Sequence, residues 1–324
     1  MRPASPFDDA LSDLRVAGSV LLHETYVAPW AVRIPQQEVL RSMLAVDANT
    51  RVLPFHLVLE GSFELAYGPA QTKTISAREV AICAGGNEHL MSLGKVRRPT
   101  SFADVMTGAR PGAAALSTNA GGTTLLCGVF LVADAPLNPL LSSLPPVMTV
   151  QTGGNPDNPL LAHAADMLAH EVSRGGRGSF ITSRLLEVFC AEAFARHRRG
   201  SDAEPAGWFK ALCDPKIATA LQHLHRDPGR AWSVADLADT VAMSPSRFAA
   251  RFRERTNISV MSYVARWRMN TALRLLRETG SSLAEIAQQI GYTDVASFSR
   301  AFKTLVGVSP SQWRKRQSPK PSSR

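Results

Sequence analysis

Between about residues 15 and 150 the apolar positions fall in short runs punctuated by Gly, Pro and Asn: GSVLLHETYVAPWAV, FHLVLEGSFELAYG, EVAICAGG and TTLLCGVFLVA. Several short strands at close spacing predict an antiparallel barrel or sandwich. The spacing then lengthens to three and four. Across NPLLAHAADMLAHEV and SFITSRLLEVFCAEAFARHRRG it predicts two amphipathic helices separated by SRGGRGS, which serve either as a dimerisation hairpin or as a packed extension. GSDAEPAG, at 200–207, reads as a linker.

Beyond that linker the pattern repeats. SVADLADTVAMSPSRFAARFRERTNIS, from Ser233, is echoed by SLAEIAQQIGYTDVASFSRAFKTLVGVS, from Ser282, with one extra residue in the second turn. In each copy a Ser precedes an apolar helical pattern and an acid, Asp236 or Glu285, follows three positions later, which predicts a capping box. AMSPS and GYTDV place an Ala or Gly where two helices approach and a new Ser or Thr cap before the next helix, so each copy predicts a helix-turn-helix. At 100° per residue Phe248 and Phe252 form one stripe of the second helix, leaving Ser246, Ala249, Ala250 and Arg253 roughly opposite and Arg247 at the edge. In the later copy Phe298 and Phe302 face inward, and Ala296, Ser297, Arg300, Lys303 and Thr304 outward. A helix of this kind fits the DNA major groove, where a guanidinium such as that of Arg300 can bond O6 and N7 of guanine together.

Between the copies, SVMSYVARWRMNTALRLLRET predicts one uninterrupted helix that buries Tyr263, Trp267, Leu273 and Leu276. About 20 residues span about 30 Å, close to the ~34 Å between successive major-groove faces. Arg266, Arg268, Arg274 and Arg277 on this helix are candidates for phosphate contacts or for salt bridges at its seam. Charge separates along the chain in the same sense. From Cys213 to Arg324 there are 18 Lys+Arg against 8 Asp+Glu, a net of +10, which leaves −1 on the first 212 residues out of the total of +9. A cationic module on a near-neutral one suits a phosphate backbone. RKRQSPKPSSR, at 314–324, holds five of those cations and acts in part as a solubilising tail.

The chain has 324 residues, which implies two domains. No apolar run reaches the roughly 18 to 20 residues that cross a bilayer, and MRPASPFDDALSDL lacks the basic flank and apolar segment of a signal peptide, so a cytoplasmic location and no membrane partner are expected. Cys83, Cys127, Cys190 and Cys213 form no C-x-x-C pair, so neither a zinc site nor a disulfide framework is suggested. With no G-x-S-x-G, P-loop or H-E-x-x-H, no catalytic residue and no cofactor are assigned.

Residues 213–317 resemble the DNA-binding domain of AraC/XylS-type transcription regulators, through SVADLADTVAMSPSRFAARFRERTNISVMSYVARWRM, ALRLLRETGSSLAEIAQQIGY and SFSRAFKTLVGVSPSQWR. The front is similar to the cupin-type sensor domain of one branch of that family, through FHLVLEGSFEL, GGNEHLM, LLCGVF and NPLLSSLPPV. The resemblance implies an α+β chain: a cupin-like antiparallel β-barrel sensor at 1–152, a helical extension at 153–200, a linker at 201–212, an all-α domain with two helix-turn-helix motifs at 213–317, and a disordered basic tail at 318–324. Carried across by position, it places Ser246, Ala249 and Ala250 of the first reading helix, and Ala296, Ser297, Ser299 and Arg300 of the second, at the bases. It implies double-stranded DNA as partner, a small-molecule effector, a homodimer, and RNA polymerase if the regulator is an activator.

For the front domain, Trp30, Phe55, His56, His89 and Met91 are expected to line a dry interior that either takes a small, partly aromatic ligand or is simply filled as core. His56, Val58 and Glu60 share one strand face, but Val58 stands where the H-x-H pattern of metal-binding cupins has its second histidine. His56 with His89 alone makes a poor site, so no metal is assigned. Cys83 and Cys127 are the redox candidates, although both sit in apolar runs. The competing readings are a metal-dependent cupin enzyme with an incidental basic helical domain, and a helical adaptor for an acidic protein.

Overall fold

The computed structural model describes residues 5–114, 122–133, 135–153, 159–200 and 207–317. Half of the expected linker, 201–206, and the tail at 318–324 lie outside them, and the linker's other half, 207–212, is helical. The chain divides into two compact units, one holding the described residues of 15–133 and 144–203, the other those of 1–14, 134–143 and 204–324. The second unit therefore takes in two segments, at the very start and near 140, that the sequence assigns to the sensor domain.

In the first unit, β1 (Arg15–Val27), β3 (Arg51–Glu60), β6 (Glu79–Ile82), β9 (Ala113–Ala114), β10 (Thr123–Ala133) and β11 (Met148–Gln151) form a six-stranded sheet in the order β11-β6-β3-β10-β1-β9. The second sheet runs β5-β4-β7-β2-β8, from β2 (Trp30–Ile34), β4 (Ser62–Ala66), β5 (Thr72–Ser76), β7 (His89–Leu93) and β8 (Thr100–Ser101). Pairing is antiparallel except for the two-residue ladder between β2 and β8. Apolar residues of both sheets meet in one core, including Val32, Phe63, Ile75 and Met91 from one and Val52, Val58, Leu125 and Val129 from the other. Short helices α2 (Gln37–Met43) and α3 (Phe102–Met106) accompany them, and the two predicted amphipathic helices are α5 (Leu160–Ser173) and α6 (Phe180–Gly200).

α6 packs on the outer face of β1, and closely: a Cβ on Gly18 would lie 2.7 Å from that of Leu186. Phe55 belongs to this outer layer, stacked on Phe130 at 4.6 Å and against Phe189 at 6.2 Å. This corrects the expectation that it lines the interior. Period two sends neighbours to opposite faces, so Phe55 cannot share a face with His56.

The second unit is helical: α1 (Pro6–Ser12), α4 (Pro139–Ser142), α7 (Gly207–Leu212), α8 (Pro215–Arg226), α9 (Val234–Asp239), α10 (Pro245–Thr256), α11 (Val260–Glu278), α12 (Leu283–Gln289), α13 (Val295–Val306) and α14 (Pro310–Gln317). Helix α1 opens on a Ser5–Asp8 capping box and buries Phe7. Asn138 ties it to α4, donating from Nδ2 to the carbonyl of Ala10 at 2.7 Å and accepting at Oδ1 from the Leu140 N–H. Asp13, just past α1, accepts from Asn270 Nδ2 at 2.6 Å and pairs with Arg274 Nε at 2.9 Å, both on α11. Burial pushes the Asp13 carboxyl up to about 6, against the opposing pull of Arg274 and the Asn270 bond.

Candidate functional site: the reading helices and the sheet interior

The two helix-turn-helix copies stand on the same local devices. Ser233 with Asp236, and Ser282 with Glu285, form the predicted capping boxes at the start of α9 and α12. Ala242 (φ 50°) and Gly291 (φ 80°) occupy matching left-handed positions 49 residues apart, while the inner phenylalanines, Phe248 and Phe298, are 50 apart. The extra residue thus falls in the second turn, where it was read. It moves the cap as well. Asp294, rather than Thr293, accepts from the Ser297 N–H at 2.7 Å, whereas Ser244 caps α10 without a side-chain bond.

Phe248, Phe252, Phe298 and Phe302 are fully buried, each pair with centroids under 6 Å apart, at 5.8 Å and 5.7 Å. A buried Phe contributes about 1.5 to 3 kcal/mol, enough to fix the rotation of each helix about its axis. That rotation leaves Ser246, Arg247, Ala250 and Arg253 exposed on α10 and Ala249 half-buried. On α13 it leaves Ala296, Arg300, Lys303 and Thr304 exposed, with Ser297 and Ser299 half-buried. Arg300 is held in place: its Nη2 donates to Ser297 Oγ at 3.1 Å, and that hydroxyl donates to Asp294 Oδ2 at 2.8 Å. Bonds from the Ser297 backbone and side chain keep the Asp294 carboxyl below the usual range, so the relay carries charge at neutral pH.

The four arginines of α10 divide into two pairs. Arg251 donates to Asp214 Oδ2 at 2.6 Å, and Arg255 Nε lies 3.5 Å from the same oxygen. Asp214 is the N-cap of α8, accepting from Lys216 and Ile217 N–H at Oδ1. Burial would raise its carboxyl, but these bonds and the Arg251 charge outweigh that and lower it. Arg251 and Arg255 therefore anchor the reading helix, while Arg247 and Arg253 point outward with no ion pair found for either among the described residues. The connecting helix α11 runs 19 residues, about 28 Å at ~1.5 Å per residue, and buries Tyr263, Trp267, Leu273 and Leu276 as expected. Three of its four arginines serve the seam. Arg268 donates to the carbonyls of Pro228 (2.9 Å) and Arg230 (2.8 Å), and Arg274 and Arg277 engage Asp13. Near its start Tyr263 Oη receives the indole N–H of Trp208 at 2.9 Å and meets His225 Nε2 at 2.9 Å, and His225 stacks on Trp267 at 3.5 Å.

In the sheet unit, His56 and Met91 line a narrow apolar void of about 20 Å³ with Val32, Ile34, Leu40 and Cys127. That is room for one or two water molecules. An outer cavity of about 170 Å³ shares Leu22, Glu24 and Tyr26 with it and carries Arg110. Trp30 is fully buried and packs on Tyr26 and Phe63 in the core, and His89 stands off the void wall. His89 instead meets His56, Nε2 to Nε2, at 2.9 Å. Burial holds both imidazoles below their usual range, His89 at about 4. Glu60 is exposed at the end of β3, whereas Cys83, which the sequence reading kept apart from the histidines, lies beside them. Nothing in the spacing of 56, 83 and 89 signals that grouping; it follows from which strands the topology makes neighbours. Burial drives the thiols of Cys83 and Cys127 up, the latter to about 12, so neither is a reactive thiolate at neutral pH in this environment.

Comparison with known proteins agrees with both halves. Residues 5–197 match the family described as Cupin, more than half of the chain, and residues 237–316 match a helix-turn-helix domain. The chain belongs to the AraC-type transcription regulators that carry a cupin domain ahead of a helix-turn-helix DNA-binding domain. It is 29% identical over 323 residues to an AraC-like transcription regulator of Streptomyces antibioticus, covering 97% of this chain and 99% of that one. It is 27% identical over 317 residues to the HTH-type transcriptional regulator AlkR of Acinetobacter baylyi, covering 94% and 99%. A third relative, an AraC-like transcription regulator of Streptomyces lividans, is 37% identical over 177 residues, 54% of this chain and 58% of that protein. These relatives favour a DNA-binding regulator over a cupin enzyme. Among the described residues, no helix is long and apolar enough to cross a membrane.

Proposed function

We propose that this chain is a cytoplasmic, non-enzymatic transcription regulator that reads two adjacent major-groove turns of double-stranded DNA with α10 and α13. The observation that carries this reading is the matched pair of exposed faces behind fully buried Phe248/Phe252 and Phe298/Phe302. On α13, Arg300 reads guanine, with Ala296, Ser297 and Ser299 beside it and Lys303 at the phosphates. On α10, Arg247 and Arg253 take phosphates, while Ser246, Ala249 and Ala250 allow close approach and contact with thymine methyl groups. α11 sets the spacing between the two heads.

The front domain supplies the signal. The apolar void and the outer cavity with Arg110 suit a small effector with one polar and one apolar end, provided the void widens on binding. Exposed Met167, Phe180, Ile181 and Val188 on α5 and α6 give the extension an apolar surface suited to a homodimer. RNA polymerase is a further partner if the regulator activates.

The test is capture of fragmented genomic DNA on the purified full chain, sequencing of what is retained, and titration of a retained fragment against salt. Three outward cations assigned to phosphates, Arg247, Arg253 and Lys303, give a log–log slope of about −2.7, a loss of about 40-fold between 50 and 200 mM salt. Retention without sequence enrichment, or a salt-independent affinity, would reject the reading.

A further inference from the structure

We propose that His56, Cys83 and His89 form a binding site for a soft monovalent metal ion, copper(I). The three side chains come from three places. His56 is on β3 of the six-stranded sheet, His89 opens β7 of the other sheet, and Cys83 follows β6, its backbone N–H bonded to the carbonyl of Pro54 at 2.8 Å. The two sheets thus meet through the histidine pair, and the cysteine is pinned two residues from His56 along the neighbouring strand. All three are buried, and one ligand atom from each lies within 4.8 Å of the other two.

Three ligands around a trigonal ion, at about 2.05 Å for nitrogen and ~2.3 Å for sulfur, would sit about 3.6 to 3.8 Å apart. The His56–His89 separation of 2.9 Å has to open by about 0.7 Å and the widest pair to close by at most about 1 Å. Side-chain torsions cover both. The carbonyl of Asn87 can only accept, so its 3.5 Å contact places a proton on His89 Nδ1 and leaves the Nε2 lone pair aimed at His56. His56 Nδ1 has no partner among the described residues, so a hydrogen bond between the two rings leaves this pair only partly satisfied.

Ligand type and charge select the ion. Coordination displaces the Cys83 proton to solvent, and the resulting thiolate with two imidazoles makes a soft-to-borderline donor set; among the described residues no carboxylate belongs to the cluster. One negative ligand neutralises a monovalent ion, whereas zinc(II) would leave a net positive charge in an apolar interior and would call for a fourth ligand. His56 also lines the neighbouring void, so the ion and an effector held there share that wall, whereas the site does not depend on DNA reading.

The experiment uses the full chain in a Cys213→Ser background, which removes the exposed thiol. Copper(I), kept reduced by ascorbate without oxygen, is titrated against a chromophoric copper(I) chelator, and zinc(II) against a zinc chelator. One equivalent of copper(I) per chain should be withheld from the chelator. Cys83→Ser, His56→Gln and His89→Gln should each weaken retention by more than about 100-fold, since loss of even a second-sphere partner costs 10- to 100-fold. X-ray absorption of the copper-loaded chain with all three ligands intact should show one sulfur and two nitrogen neighbours, a readout that does not depend on the variants folding. No withheld equivalent, retention unchanged in the three variants, a sulfur-free copper shell, or zinc(II) held more tightly than copper(I) would overturn the assignment.

Discussion

Replacing Asp214 tests how the first reading helix is held. The residue does two jobs: it caps α8 through the Lys216 and Ile217 N–H groups, and it anchors α10 through Arg251 and Arg255. Losing an N-cap costs about 0.5 to 2 kcal/mol. The ion pairs add less than a fully buried pair would, because the Arg251 and Arg255 side chains are 40% and 32% exposed, so about 1 kcal/mol is a fair allowance. Asp214→Ala should therefore destabilise the helical unit by about 1.5 to 3 kcal/mol, a fall in its melting temperature of about 10 °C. Asp214→Asn keeps a capping oxygen and loses the charge, so it should cost only about 1 kcal/mol. The Asp214 carboxyl is lowered in the fold, so its contribution is complete above the unfolded value near 4 and is lost as pH falls through the folded one. The natural chain and Asp214→Asn should converge below that range. The assay is thermal unfolding of the full chain, following the helical unit's transition, at pH 7 and again in acid. Equal losses for Ala and Asn, or no loss for either, would refute the division between cap and anchor.

Arg300→Ala should lose about 1 to 3 kcal/mol of discrimination at one base position, measured by binding to a set of single-base operator variants; an unchanged preference would remove Arg300 from base reading. Gly291→Ala should cost at least about 2 kcal/mol in denaturant unfolding, because the position is left-handed and a Cβ there would lie 2.3 Å from the carbonyl oxygen of Gly229. Ala242→Gly, at the matching left-handed position, should cost little or nothing. Asp13, raised to about 6 by burial, favours the fold most when protonated, so its contribution is complete below about pH 4 and is lost as pH rises through 6. Facing Asn270, Arg274, Arg277 and Glu278, it should make the natural chain gain about 1 kcal/mol relative to Asp13→Asn between pH 7 and pH 5, read from paired unfolding curves.

What the sequence could show depended on the range of the contact. The Phe stripes, the capping boxes and the one-residue offset between the copies are local, set by helical period and turn chemistry, and all are found where the pattern places them. The long helix and its buried Tyr263, Trp267, Leu273 and Leu276 belong to the same class. Asp294 was missed as a cap because Thr293 beside it is an equally good candidate until the inserted residue is placed. Arg251 and Arg253 are about 200° apart on a helical wheel, so the period separates their faces; that Arg251 is an anchor follows only from Asp214, 37 residues upstream. The pairing of Asp13 with Asn270 spans 257 residues, so no periodicity could have drawn the first segment into the helical unit. Phe55 was misplaced although alternation with His56 was available to correct it. Cys83 joins the two histidines only because β6 pairs with β3, and that register is not written in the spacing of the three residues.

The most direct test is a hydroxyl-radical or nuclease footprint of the full chain on a captured DNA fragment, repeated with Arg253→Ala and Arg300→Ala. Two protected major-groove segments one helical turn apart on the same side of the duplex are expected for each chain bound, with each substitution weakening protection at one segment only. A single protected segment, or uniform weakening along the whole site, would contradict it.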